Sequence, residues 1–387
     1  MSRRAVLRGA GLGGLTVAVA GAGALSYRAS DQQLLDSDRG APFDAWRHWR
    51  DGSGPAGLVA AAVVAASPHN TQPWLFRASD ARVDVYADPT RRLGSPDPYG
   101  REMYVGLGCA LENLVLAARA HGYDPRVTLL PDQAEETLAA RVEVAAGRPQ
   151  RSALFDAIGD RHTNRGPYRN EPVPADLLAA LTGLADRDGP ASLAWFVPAE
   201  ERQELGAMMV AAARAVVADE QQSRDNFAWL RTDADAITRH RDGLTLDAQG
   251  MSNLVTSVAK LLPATSRAAG DRFWVKQTDS VHTRTAAAYG MILVPDPLEP
   301  SAQLAGGRLL QRIHLAATTR GLALQHMNQI TERIDRDVSL GRSPEFGARL
   351  GGLIGSQDQQ ALATFRVGFP VRAGRRSPRR TAAEVTR

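Results

Sequence analysis

The chain has 387 residues, 44% of them hydrophobic and 23% charged. These proportions exclude wholesale disorder, a collagen-like repeat and a polytopic membrane protein, and the length allows two modest cores or one large one. The formal net charge is +4, yet ten of the basic residues and one acid lie in residues 1–28 and 372–387, leaving a body of about −5 that argues against a nucleic-acid-binding core.

Cys109 is the single cysteine, which excludes an internal disulfide and a Cys-rich metal site. The histidines lack His-Glu-x-x-His or His-x3-His spacing and the chain lacks a G-x-x-x-x-G-K-[ST] loop, so neither a metal centre nor P-loop chemistry is expected.

At the start, Ser2-Arg3-Arg4-Ala5-Val6-Leu7-Arg8 precedes a Gly/Ala-rich apolar run from Gly9 to Leu25. That is the charged-then-apolar order of an export leader. It resembles a twin-arginine signal, which implies that residues 1–28 address a folded chain to the twin-arginine export machinery. The segment is either cleaved, with Ala22-Gly23-Ala24 as the candidate site, or kept as an anchor, so the protein is exported or anchored facing outside. A cytoplasmic location is the alternative.

Further along, the pattern predicts a helix over Gly57–Ala66, a Pro-bounded loop, a strand over Val83–Ala87 and a helix over Gly108–Gly122. That helix aligns with Gly307–Gly321 at six of fifteen positions, among them Gly108/Gly307, Leu111/Leu310, Ala118/Ala317 and Gly122/Gly321. An offset of about half the chain predicts two related halves, each helix ended by a glycine. Strands at Tyr289–Val294 and Ala363–Val367 surround the second copy, so strands and helices interleave as in an α/β or α+β fold. A polar, helix-prone stretch, Asp219–Thr285, interrupts the second half and is expected as a surface embellishment or lid.

The loop Ser67-Pro68-His69-Asn70-Thr71-Gln72-Pro73-Trp74 sets hydroxyl and amide groups between two prolines, with Trp74 as an apolar anchor. Ser67, Asn70 and Gln72 both donate and accept, which suits a flat heterocycle edged with N–H and C=O groups. Ser67, Asn70, Gln72, Pro73 and Trp74 match the P-S-x-x-N-x-Q-P-W loop of the FMN-dependent nitroreductase superfamily, although Pro68 follows the serine instead of preceding it. Arg161-His162-Thr163-Asn164-Arg165 resembles the R-x-S/T-x-R segment of the same superfamily, which holds the ribityl and phosphate parts of FMN. In an extended segment Arg161, Thr163 and Arg165 point to one side, and forked guanidiniums suit a phosphate.

In ordinary members of that superfamily the two motifs occur in the opposite order, and each FMN lies between two subunits. Here each half keeps the motif the other lacks: the first offers only Trp46-Arg47-His48-Trp49-Arg50 in place of one, and the second only Asp186-Arg187-Asp188-Gly189-Pro190 in place of the other. The arrangement resembles the Acg-type branch, single chains in which two nitroreductase-like domains mimic the usual dimer. The resemblance implies an α+β nitroreductase-like fold, with residues 45–150 as the first half and 151–387 as the second, a helical lid at about 219–285, an intramolecular pseudo-dimer and a monomeric chain.

The segment Phe365-Arg366-Val367-Gly368-Phe369-Pro370 resembles the terminal strand and turn of the superfamily, and Arg379 or Arg380 its later phosphate-reaching element. In the superfamily that the chain resembles, the turn after the repeated helix brings a backbone N–H to flavin N5, and Asn328 and Gln329 occupy roughly that place. The function implied is hydride transfer through FMN from NAD(P)H to a nitro, quinone or related acceptor, with no catalytic side chain nominated. The alternative is a non-catalytic FMN-binding or FMN-sequestering protein with a closed lid.

Overall fold

The computed structural model describes residues 38–261 and 265–387, so the leader-like segment 1–28 lies outside the described residues. Helix α1 (Gly54–Ala62) begins at a Gly-Pro step, where the fixed φ of proline suits the first helical turn. It therefore starts and ends earlier than the Gly57–Ala66 span its apolar residues suggest. β1 (Trp74–Ser79) and β2 (Arg82–Ala87) form a hairpin in which Trp74 pairs with Ala87 and Phe76 with Val85, placing all four on one buried face. Helix α2 (Arg101–Ala120) leads to β3 (Tyr123–Leu129) and β4 (Leu138–Ala146), completing an antiparallel sheet in the spatial order β1-β2-β4-β3.

In the second half, after short helices at Ala153–Asp156 and Ala175–Thr182, come β5 (Ser192–Phe196) and helix α3 (Ala199–Ala218). The expected insertion follows as α4 (Glu220–Phe227), α5 (Ala234–His240), α6 (Asn253–Leu261) and α7 (Arg267–Gln277). Side chains of Asp219, Asp233 and Ser266 cap α4, α5 and α7 by accepting from first-turn N–H groups. Then come β6 (Ala288–Val294), α8 (Pro300–Thr319), β7 (Ala323–His326), α9 (Gln329–Ser339), α10 (Glu345–Ile354) and β8 (Gln360–Gly368). The second sheet runs β5-β6-β8-β7, antiparallel throughout, so the topology of the first half is repeated with α8 in the place of α2.

The two repeated helices are also where the halves meet. A β-carbon on Gly108 would lie 2.3 Å from the Leu304 carbonyl oxygen, and one on Gly307 2.1 Å from that of Val105, so the backbones touch at the two aligned glycines. Arg308 bonds Glu112 at 2.8 Å and Gln311 Nε2 donates to Asn113 Oδ1 at 2.8 Å across the same seam. Gly122 and Gly321, just beyond the helix ends, have φ of 83° and 71°, the left-handed stop their sequence position predicts. Helix α2 is long and apolar enough to cross a membrane, but it is buried inside this shared core.

One boundary differs from expectation. The last residues, read as part of the second half, return to the first: Thr386 pairs with Phe76, Arg387 N–H donates to Phe76 O at 2.8 Å, and Trp46 Nε1 donates to Ser377 O at 2.8 Å. β1 is an edge strand with open backbone groups, and the tail covers them.

Candidate functional site

A cavity of about 440 Å³ opens where the two halves meet the inserted helices. The first half supplies Ser67, Pro68, His69 and Gly106, and the second Thr163, Arg165, Asn328 and Gln329. The inserted stretch contributes an apolar and aromatic wall that includes Phe227, Met251, Phe273 and Trp274. Residues from both sequence motifs thus share one cavity, as a site split between halves requires.

The polar loop is held in an unusual backbone shape. His69, Asn70 and Gln72 have φ of 45°, 57° and 52°, a left-handed region that costs roughly 1–2 kcal/mol per non-glycine residue. Hydrogen bonds fix it. Ser67 Oγ accepts from Gln72 N–H at 3.1 Å, Asn70 Nδ2 donates to Gly243 O at 3.1 Å and Pro378 O at 2.9 Å, and Gln72 Nε2 donates to Arg241 O at 2.8 Å. Asn70 Oδ1 accepts from Arg379, and Gln72 Oε1 from Arg380 N–H at 2.8 Å.

Ser67 therefore lines the cavity, while the amides of Asn70 and Gln72, expected at a ring edge, are spent on the Arg241–Gly243 turn and on the tail. That turn is held in its own right, because buried Asp242 pairs with Arg91 and, at 2.8 Å, with Arg231.

Behind the wall formed by Ala66 and Ser67 lies a nest of arginines. Arg161 Nη2 donates to Val64 O at 3.1 Å and Arg379 Nη2 to Ala65 O at 3.1 Å. The guanidiniums of Arg161, Arg376 and Arg379 all lie within 5.8 Å of the Trp46 ring. Arg161 and Arg379 are only 2% and 4% exposed, and the Nε of each lacks a hydrogen-bond partner among the described residues.

No described carboxylate faces either of these two guanidiniums. Burial pushes Arg161 down to about 10 with only the Cys109 thiol opposing it, and burial together with Arg161 pushes Arg379 well below the usual arginine range. Burial likewise lowers Arg165 to about 10 and His69 to about 4, and His326, close to both Arg161 and Arg165, to about 3, so the imidazoles there are neutral.

Thr163 and Arg165 reach the cavity wall, whereas Arg161 sits behind it beside His314. Arg380 faces away from the nest and donates to the carbonyls of Gln72 and Trp74. Asn328 precedes α9 without a side-chain cap, its Oδ1 instead accepting from Thr364 N–H of β8 at 2.9 Å, and Gln329 begins that helix. Sequence reasoning missed Trp46 and Arg376 as parts of the nest, since nothing in their local pattern marks them. It also passed over Glu102 and Glu332, which line the cavity; Glu102 opens a largely apolar helix, whereas nothing in the charged sequence around Glu332 marks it.

No family model matches the chain. It is 32% identical over 197 residues to Rv3131 of Mycobacterium tuberculosis, provisionally named an NAD(P)H nitroreductase, covering 46% of this chain and 55% of that protein. It is 33% identical over 126 residues to acg of the same organism, with the same provisional name, covering 31% of this chain and 37% of that protein. The chain spans about half the length of the curated relatives it matches. Among solved structures, the FMN-dependent nitroreductase NfnB of Mycobacterium smegmatis in complex with NADPH is 18% identical, with a TM-score of 0.38, covering 61% of this chain and 97% of that one.

Proposed function

We propose that this chain, similar in sequence to curated nitroreductases, holds one FMN in the split cavity. In this reading it is an FMN-dependent oxidoreductase of the nitroreductase superfamily that moves electrons from NAD(P)H to a small nitro, quinone or related acceptor. The observation that carries the proposal is the pair of buried guanidiniums, Arg161 and Arg379, each, among the described residues, with an orphaned Nε and no carboxylate opposite. Buried charges persist when they are paired, and a phosphate supplies the missing anion. The adjoining cavity of about 440 Å³ lies within the usual range for cofactor sites and is mostly apolar with a few polar groups, as a flavin ring needs.

In this reading Arg161 and Arg379 hold the phosphate, Thr163 and Arg165 the ribityl region, and Ser67 with the Asn328–Gln329 turn the ring. FMN supplies the two-electron chemistry, accepting and releasing hydride. Asn70, Gln72 and Arg380 shape the site from behind by fixing the loop, the Arg241–Gly243 turn and the tail. The aromatic residues of the inserted stretch exclude water from the ring.

A second reading, an FMN-sequestering protein, is favoured by one observation: the inserted stretch is clamped to the site through Asn70, Gln72 and buried Asp242. Mixing the yellow protein with NADPH or NADH without oxygen separates the two. Loss of flavin colour, and its return when a quinone is added, supports the oxidoreductase; unchanged colour with bound FMN supports sequestration, and a protein that takes up no FMN contradicts both.

A further inference from the structure

Glu102, in the first turn of α2, and Glu332, one turn into α9, come together in the wall of the same cavity, within hydrogen-bonding reach of each other. They are 5% and 6% exposed. Glu332 N–H donates to Asn328 O at 2.9 Å, so its side chain shares a helix face with the turn that lines the cavity.

The charged groups around the pair are Asp97, whose carboxylate accepts from the N–H groups of Glu102 and Met103 at 3.0 Å each, Asp335, and one cation, Arg101. Arg101 spends Nε on Asp335 at 2.7 Å and Nη1 on the Leu362 carbonyl. The nearby Arg333 turns away to Asp219, Gln222 and Asp337. Four buried carboxyls therefore face one guanidinium, and two carboxyls in contact do not both ionise. Glu102 Oε1 is buried and has no hydrogen-bond partner among the described residues, in a residue that lines the cavity.

We propose that Glu102 and Glu332 share one proton and are the general acid of the acceptor half-reaction, delivering that proton to an oxygen of the bound acceptor as hydride reaches it. This rests on the FMN reading, which supplies the hydride. For a quinone, hydride brings two electrons and one hydrogen to one oxygen. The O–H bond of the carboxyl pair breaks as a new O–H bond forms at the other oxygen, the hydroquinone leaves, and the pair recovers its proton from water. Burial acts in the same direction, pushing Glu332 up to about 7 and Glu102 well above the carboxylate range, so the proton is held at neutral pH and still available.

Below the ordinary value of 4.5 the Glu332 carboxyl is protonated folded or unfolded; between 4.5 and about 7 the folded chain binds more proton, so stability falls as pH rises through that window.

The test compares the wild type with Glu332→Gln, Glu332→Asp and the double Glu102→Gln/Glu332→Gln variant. Infrared spectra of the protein at pH 6 are expected to show a protonated-carboxyl band that the double variant lacks, and the fall in stability between pH 4.5 and 7 is expected to flatten in Glu332→Gln. In stopped flow, Glu332→Gln is expected to slow reoxidation of the NADPH-reduced flavin by a quinone on the order of 10²-fold and to erase its decline above neutral pH. Glu332→Asp is expected to recover part of the loss. A band that persists in the double variant, or reoxidation that keeps its rate and pH profile in Glu332→Gln, overturns the proposal. Failure of the protein to take up FMN overturns the cofactor reading and this one with it, and is told apart by the absence of colour at the start.

Discussion

Arg161 and Arg379 make opposite demands on the protein with and without an anion. Each is a buried cation with no described carboxylate opposite, which is costly on its own, and in the proposed reading each would offer charge-assisted hydrogen bonds to the phosphate of FMN. Replacing Arg379 with Met is therefore expected to weaken FMN by about 10- to 100-fold, from the loss of roughly 1.5–3 kcal/mol of charge-assisted bonding. Riboflavin, which has no phosphate, should lose much less affinity for the variant than FMN does, even though Arg379 also bonds Asn70 Oδ1 and the Ala65 carbonyl. Titration of both flavins followed by fluorescence checks this; equal weakening of riboflavin and FMN would remove Arg379 from the phosphate site.

The same residue scale shows where local pattern stops informing. Arg161, Thr163 and Arg165 were legible as a trio because alternate residues of an extended segment share a side, yet only Thr163 and Arg165 reach the cavity wall while Arg161 turns behind it. Asn70 and Gln72 were legible as polar groups needing partners. Their actual partners, Gly243, Arg241 and the tail, lie 169 or more residues away, which no local spacing encodes.

Helices α2 and α8 carry the architecture at the scale of elements. Their identities in sequence were visible at Gly108/Gly307 and Gly122/Gly321, and the structure gives each pair a reason: one lets the helices cross, the other stops them. A methyl group at Gly307 would stand 2.1 Å from the Val105 carbonyl oxygen, which is backbone and cannot swing aside. Gly307→Ala is thus expected to push the helices apart and cost about 1–3 kcal/mol, the usual penalty for overpacking a filled core. Denaturant unfolding measures it, and a variant as stable as the wild type would mean that the crossing is looser than described.

Three strands were legible, at Val83–Ala87, Tyr289–Val294 and Ala363–Val367, and β1, β3, β4, β5 and β7 were not. The order β1-β2-β4-β3 and its repetition were not, since pairing joins strands distant in sequence. The edge-covering tail was equally hidden. Its basic residues look like a solvated end until Trp46, Pro42 and Phe76 supply the surface it packs on.

Taken as a whole molecule, the chain has two halves of one topology but an asymmetric interior. Cys109 lines the cavity, while its aligned counterpart Arg308 is paired with Glu112 at 2.8 Å, and nearby Arg312 is paired with Asp186 at 2.9 Å. Ion pairs therefore occupy the symmetry-related position where the first site has a cavity and unpaired guanidiniums. The Asp186–Pro190 segment, which stands where a polar loop would complete a second site, contributes one of those pairs.

If two incomplete halves build one flavin site, each chain binds a single flavin, and the amount of flavin per chain decides it. Saturating the folded protein with FMN, removing the excess, denaturing it and quantifying the released flavin against protein concentration should give one FMN per chain. Two per chain would contradict the asymmetry, and none would contradict the flavin site itself.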